Sequence, residues 1–302
     1  MKNKNKNSLI ELYRFIFSFN VLKGHGFFPY QGPYFGPAGL SVEFFFILTG
    51  FFLVKTLDKY TIQKFFKGLF SLIKDKVKVL GIPLLIGLIF GFIYGIYAGF
   101  EHWYDINIWG YLWYICDMFL VIIFYFIIRK FIKNDKIFFA IASIVFLIAF
   151  SFHITDRFYS WGYFRAFSSI SLGILVSYIP KIKIKHKNLL LIPLIIVGAY
   201  ILEMLLFNFT FVEEIILDIL LYPALIYLTL HFDYHNRVFN YLGLLSFGLY
   251  AFQNVTRYLR LRYDINVWIS FLIIVVLTIM NSIFVILMRK KNNSELIPEQ
   301  NS

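Results

Sequence analysis

The first long apolar run of this 302-residue chain carries Glu11, Arg14, Asn20, Lys23 and His25. Inside a lipid bilayer each ionisable group costs on the order of 2.5–3.5 kcal/mol at a helix centre, so such a cluster marks a functional site. Arg14 and His25 stand eleven positions apart, about three helical turns, and so share one face. Glu11 and Arg14 are one turn apart and can pair. A second apolar run adds Glu43, within Gly39-Leu-Ser-Val-Glu-Phe-Phe-Phe-Ile-Leu-Thr-Gly50. A short loop with Pro and Gly joins the two runs, which makes them antiparallel neighbours and brings His25 and Glu43 toward one end. A carboxylate that orients an imidazole is the usual arrangement of a general base. The same pair also serves as a packing hydrogen bond or a proton relay in a transporter, and the residues alone leave that choice open.

The elements that must hold these groups follow from composition. Apolar residues make up 60% of the chain and aromatics 21%, only 15% are charged, and the mean hydropathy is +0.72. A soluble domain averages roughly 45–50% apolar, so one globular core could not hide this much. Windows of about 20 residues, long enough to cross a bilayer, fall at Leu9–Phe28, Pro37–Leu57, Val79–Phe100, Ile108–Ile128 and Ile137–Ile154. Five more follow at Trp161–Ile179, Leu189–Phe209, Phe211–Leu230, Val238–Tyr258 and Ile265–Met288. The expectation is an all-α polytopic membrane protein of about ten transmembrane helices. It forms a single domain over 1–302, with the bundle at about 9–288 and short polar termini at 1–8 and 289–302. Glu11, Arg14 and Lys23 argue against a cleavable signal, so the first run reads as a retained helix. The single cysteine, Cys116, lies in an apolar run, which excludes a disulfide framework.

The net charge of +12 suggests nucleic acid at first sight, but no soluble stretch carries a basic face with interleaved aromatics. The charge sets topology instead. With the N-terminus inside, the cytoplasmic segments hold 22 of the 29 Lys and Arg residues. The external loops hold Arg157, Arg257, Arg260 and Arg262, and Arg14, Lys23 and Arg165 lie within helices. That asymmetry follows the positive-inside rule for an even number of spans and puts both termini in the cytoplasm. Among the other polar groups, Asp117 lies one turn past Trp113 and faces the bundle interior. Glu203, Asp218 and Asn281 read as interhelical hydrogen bonds, and His153, His186, His231 and His235 read as solvated. Trp103, Trp109, Trp161 and Trp268 read as interface anchors.

In order along the chain, several short patterns resemble those of the membrane acyltransferase-3 family. Arg14-x10-His25 is similar to its Arg/Lys-x10-His signature. Gly39…Val42-Glu43-Phe44-Phe45-Phe46…Thr49-Gly50-Phe51 resembles its second-helix pattern of glycine, acid, paired aromatics and Ser-Gly-Phe. Leu112-Trp113-Tyr114 resembles its Leu-Trp-aromatic motif, and Arg165 followed by Gly173 its Arg…Gly helix. Leu242-Gly243…Ser246-Phe247-Gly248-Leu249-Tyr250 is similar to its late Gly…Ser…Tyr segment. The matches run from Leu12 to about Gln253. Two departures stand out. The late segment of the family usually ends in His, and here the position is Gln253, which hydrogen-bonds but shuttles no proton near neutral pH. The family's Arg-x-x-Arg before the third helix is replaced by Lys74, Lys76 and Lys78, point charges without bidentate geometry.

The resemblance implies an integral membrane O-acyltransferase of the bacterial cytoplasmic membrane. It would move acetyl from acetyl-CoA to a hydroxyl of a cell-surface polysaccharide or its lipid-linked precursor. His25 and Glu43 would be catalytic. Arg14, Trp113, Tyr114, Asp117, Arg165, Tyr250 and Gln253 would bind substrate, and no metal is implied. The partners would be membrane lipids, the acyl-CoA donor and the glycan acceptor. The alternative is a transporter or flippase for a lipid-linked sugar, in which the Arg14-x10-His25 spacing and the Glu43 block have no evident reason.

Overall fold

A computed structural model describes residues 7–24, 40–74, 108–155, 162–180, 217–230 and 234–294, and these form helices with no strand among them. In chain order they are α1 (Ser8–Gly24), α2 (Leu40–Thr61), α3 (65–74), α4 (Ile108–Phe131), α5 (Asp135–Thr155) and α6 (Tyr163–Ser177). A π turn over Leu217–Leu221 runs into α7 (Tyr222–Leu230), followed by α8 (Arg237–Tyr263) and α9 (Val267–Ser294).

Four of the helices start from the same device, an asparagine immediately before the first helical residue. Asn7 accepts from the Leu9 amide at 3.0 Å, Asn134 from Lys136 at 2.9 Å, Asn236 from Val238 at 2.8 Å and Asn266 from Trp268 at 2.9 Å. Each such cap satisfies an orphan donor and contributes about 1 kcal/mol. At the end of α8 the chain turns through Asp264, which adopts a left-handed φ of 50° and so stops the helix.

Side-chain contacts fix the helix directions. Asn20 on α1 donates to Ser41 at the start of α2 (2.6 Å), so these two run antiparallel. α2, α4 and α6 run side by side in one direction, joined by Phe46–Tyr114, Asp58–Arg129 and Glu43–Arg165 contacts. α5 returns against α6, with Phe139 on Tyr178 near one end and Phe152 on Phe164 near the other. α8 follows α1, and α9 returns along α8. Two ends result. At one, Arg129 bonds Asp58 and Asp135, and Lys130 donates to the Thr61 and Gln63 carbonyls. That end also collects Lys55, Lys59, Lys133, Lys136 and Arg237. The opposite end gathers the starts of α2, α4, α6 and the π turn, and the close of α5.

Small residues set the spacing between α2 and α6. A Cβ on Gly50 would fall on the Ile170 carbonyl, and one on Gly173 would fall on the Ile47 carbonyl and the Phe51 amide. Buried Ser169, one turn before Gly173, adds another small residue to that face of α6. This is how apolar helices gain contact when lipid offers no hydrophobic drive to associate.

Among the described residues, two stretches are long and apolar enough to cross a bilayer, Asp135–His153 and Val267–Phe284. Both turn large apolar side chains outward, including Ile144, Leu147, Leu272 and Met280. Most expected spans overlap helices within a few residues of their bounds. Val79–Phe100 and Leu189–Phe209 lie outside the described residues, and Phe211–Leu230 is described only from Leu217. One expectation is corrected. Arg257, Arg260 and Arg262 belong to no loop: α8 continues through Tyr263, because nothing in Asn254–Tyr263 breaks a helix before Asp264 does.

Candidate functional site

Glu43 is the most buried carboxylate of the chain's described part, with a side chain 1% exposed. It lies in the first turn of α2, where the unsatisfied amides of a helix start favour negative charge. Its partner is Arg165 in α6, whose Nε donates to Glu43 Oε1 at 2.6 Å and whose Nη2 reaches the same oxygen. The Gly50 and Gly173 contacts lie about two turns further along each helix, so close packing of α2 on α6 holds the pair in register. Arg165 also lies over the Trp113 ring, 5.4 Å from its centroid. Glu43 Oε2 has no hydrogen-bond partner among the described residues. One carboxylate oxygen is thus fixed by a guanidinium and the other is open to a proton donor.

Two further groups close on this pair. His153, in the last turn of α5, and Asp218, in the π turn, each bring a side-chain atom within 4.8 Å of Glu43 and of one another. An imidazole and two carboxylates are donors of the kind that hold a divalent metal. Of the three, Glu43 is already paired with the Arg165 guanidinium.

A deeper polar layer lies behind it. The Tyr114 hydroxyl lies near Thr49 and faces the charge of Arg14, which itself pairs with Glu11 at 2.9 Å. The Tyr114 ring packs on Phe46 (4.6 Å) and Tyr250 (5.2 Å). Asp117 is buried one turn from Trp113. A Cβ on Gly162, just before α6, would strike both the Trp113 ring and Asp117 Oδ2, so glycine lets that turn sit close.

The structure therefore brings together Glu43, Arg165, Trp113 and Asp117 in one layer and Arg14, Tyr114 and Tyr250 in the next. His25 lies outside the described residues, one position past the end of α1. Gln253 lies on α8, but its side chain is likewise outside them. The expectation that His153 is solvated is corrected: it is half-buried against Glu43 and Asp218. Hairpin symmetry carried the signal. His153 and Arg165 flank the α5–α6 connection at comparable distances, and antiparallel helices bring such positions face to face, as the Phe152–Phe164 stack does next to them. Asp218 stood out as an acid in an apolar run, but nothing local names its neighbours.

No curated protein and no solved structure matches the chain. A family model described as an acyltransferase domain matches residues 7–288, a range that takes in every residue of both layers. That match covers nearly the whole chain, in agreement with the ordered motifs, and the chain belongs to the membrane acyltransferase-3 family.

Proposed function

We propose that this acyltransferase moves an acetyl group from acetyl-CoA to a hydroxyl of a cell-surface polysaccharide or of its lipid-linked precursor. The observation that carries the reading is the buried Glu43–Arg165 pair with one Glu43 oxygen left open, at the end of α2 nearest the close of α1. A histidine brought to that oxygen is oriented and its positive charge supported, as nucleophilic and general-base steps require. His25, the next residue after α1, takes that role, either as base toward the acceptor hydroxyl or as transient acyl carrier. Arg14 and the lysines of the basic end attract the anionic donor as point charges.

The chain spans the cytoplasmic membrane about ten times with both termini inside. Support comes from the collection of Lys55, Lys59, Lys133, Lys136 and Arg237 at one end of the bundle, the end that the positive-inside rule assigns to the cytoplasm. The Glu43 layer then lies toward the outer face, where a surface acceptor would meet it.

The test is the O-acetyl content of surface glycan, read by NMR, in cells carrying wild type, His25→Ala or Glu43→Gln at matched protein levels. Acetyl signals present with wild type and lost in both variants are expected. Equal acetylation in all strains with altered glycan export would make the chain a carrier and end the transferase reading.

A further inference from the structure

At the basic end of the bundle, large apolar side chains stand exposed among charges. Asp58 and Asp135, both paired with Arg129, keep 49% and 64% of their side chains exposed, so this level is polar and lies outside the hydrocarbon. Ile62, in the turn from α2 to α3, and Phe66 and Phe70 on α3 are nevertheless 85%, 82% and 69% exposed. Phe66 and Phe70 lie one turn apart and share a face. Lys67 and Lys74 lie two turns apart on the neighbouring face, Lys64 just precedes the helix, and all three are exposed. Lys64 and Lys67 pair with no acid among the described residues.

The remaining face fixes α3 to the bundle. Leu72 is buried in the main core, Phe65 packs on Phe126 at 5.7 Å, and a Cβ on Gly68 would fall on the Tyr60 carbonyl. Lys130 secures the turn before α3 through the Thr61 and Gln63 carbonyls. A rigid mount therefore presents the exposed aromatics. Water would leave them unused, and hydrocarbon would penalise the lysines between them. Protein interfaces are depleted in lysine, and a free anion would use the lysines but not Phe66 and Phe70. The boundary between headgroups and acyl chains of an anionic bilayer suits both. Phe131, 76% exposed near Lys133 at the end of α4, repeats the alternation.

We infer that α3 is an interfacial helix that binds anionic phospholipid. Ile62, Phe66 and Phe70 enter the acyl boundary, and Lys64 and Lys67 hold net-negative headgroups. The inference holds whatever group the chain transfers.

The test uses the full chain with Cys116→Ser and Phe70→Cys, the new thiol carrying an environment-sensitive fluorophore. It is reconstituted in vesicles of phosphatidylcholine and phosphatidylglycerol, with either lipid spin-labelled high on its acyl chain. Spin-labelled phosphatidylglycerol should quench at a mole fraction about 10-fold lower than spin-labelled phosphatidylcholine, and aqueous iodide should quench little. Each of Lys64→Gln and Lys67→Gln should reduce that preference by about 5-fold, with the melting temperature of the purified protein unchanged. Equal quenching by the two lipids before any lysine is replaced would overturn the inference. Quenching by iodide alone would put the face in water and overturn it too. A fluorophore shielded from iodide and both lipids, with cross-linking between chains, would assign the face to a second copy. Loss of the preference on adding micromolar CoA would assign the lysines to a soluble donor, and either result would sink the lipid reading.

Discussion

At the scale of single residues, what matters is that Arg165 uses two nitrogens on one oxygen of Glu43. Nε and Nη2 both converge on Oε1, and the same guanidinium lies over Trp113. A lysine has no planar fork, so it could neither make both contacts nor stack in the same pose. Arg165→Lys should keep the charge and still lower glycan acetylation by about 10-fold or more, measured at matched protein levels. Glu43→Gln removes the negative partner and leaves a guanidinium uncompensated in a buried site, a change worth about 3–5 kcal/mol where one member of a buried pair is lost. It should therefore lower thermal stability as well as activity, and a double variant, Glu43→Gln with Arg165→Met, should recover stability without recovering acetylation. Failure of the double variant to regain any melting temperature would mean that the pair is not the source of the loss. The sequence made Glu43 and Arg165 visible separately, as charges in apolar runs. It held nothing to join them, because 122 positions separate the two and their contact depends on how α2 lies on α6.

At the scale of elements, that contact is set by glycines. Gly50 and Gly173 each admit the backbone of the other helix, and neither site has room for a methyl group because the obstacle is a carbonyl and not a flexible side chain. Gly50→Ala or Gly173→Ala must push α2 and α6 apart, at about 1–3 kcal/mol for such overpacking. The displacement reaches Glu43 and Arg165 two turns away, so transfer should fall by more than the stability change explains. Asn236→Ala provides the contrast. It removes a helix cap at the opposite end, should cost about 1 kcal/mol, and should leave acetylation per folded molecule unchanged. Equal activity losses in the cap and glycine variants would show that general destabilisation accounts for both. The glycines were legible as family motif positions and as ordinary packing residues of apolar helices. That they face each other, and so set the spacing at the Glu43 layer, was not. The caps were fully legible in principle, since an asparagine before a periodic run is a local signal. His153 was misread as solvated for the opposite reason: a local reading of a helix end says nothing about which other helix ends meet there.

At the scale of the whole molecule, the two ends of the bundle differ in kind. One joins Asp58, Arg129 and Asp135 and is rimmed by lysines, and the other holds the Glu43 layer. If the basic end faces the cytoplasm, donor and acceptor approach from opposite sides, and the polar layers through Arg14, Tyr114 and Arg165 lie between them. The single cysteine makes the orientation easy to test. In a Cys116→Ser background, Lys133→Cys reports the basic end and Tyr263→Cys the opposite one, both positions being exposed. A maleimide that cannot cross the membrane should label Tyr263→Cys on intact spheroplasts and Lys133→Cys only after the membrane is opened. The reverse pattern would place the Glu43 layer on the cytoplasmic side, where donor and acceptor would have to meet without crossing the bundle, and a surface glycan could then be modified only as its lipid-linked precursor.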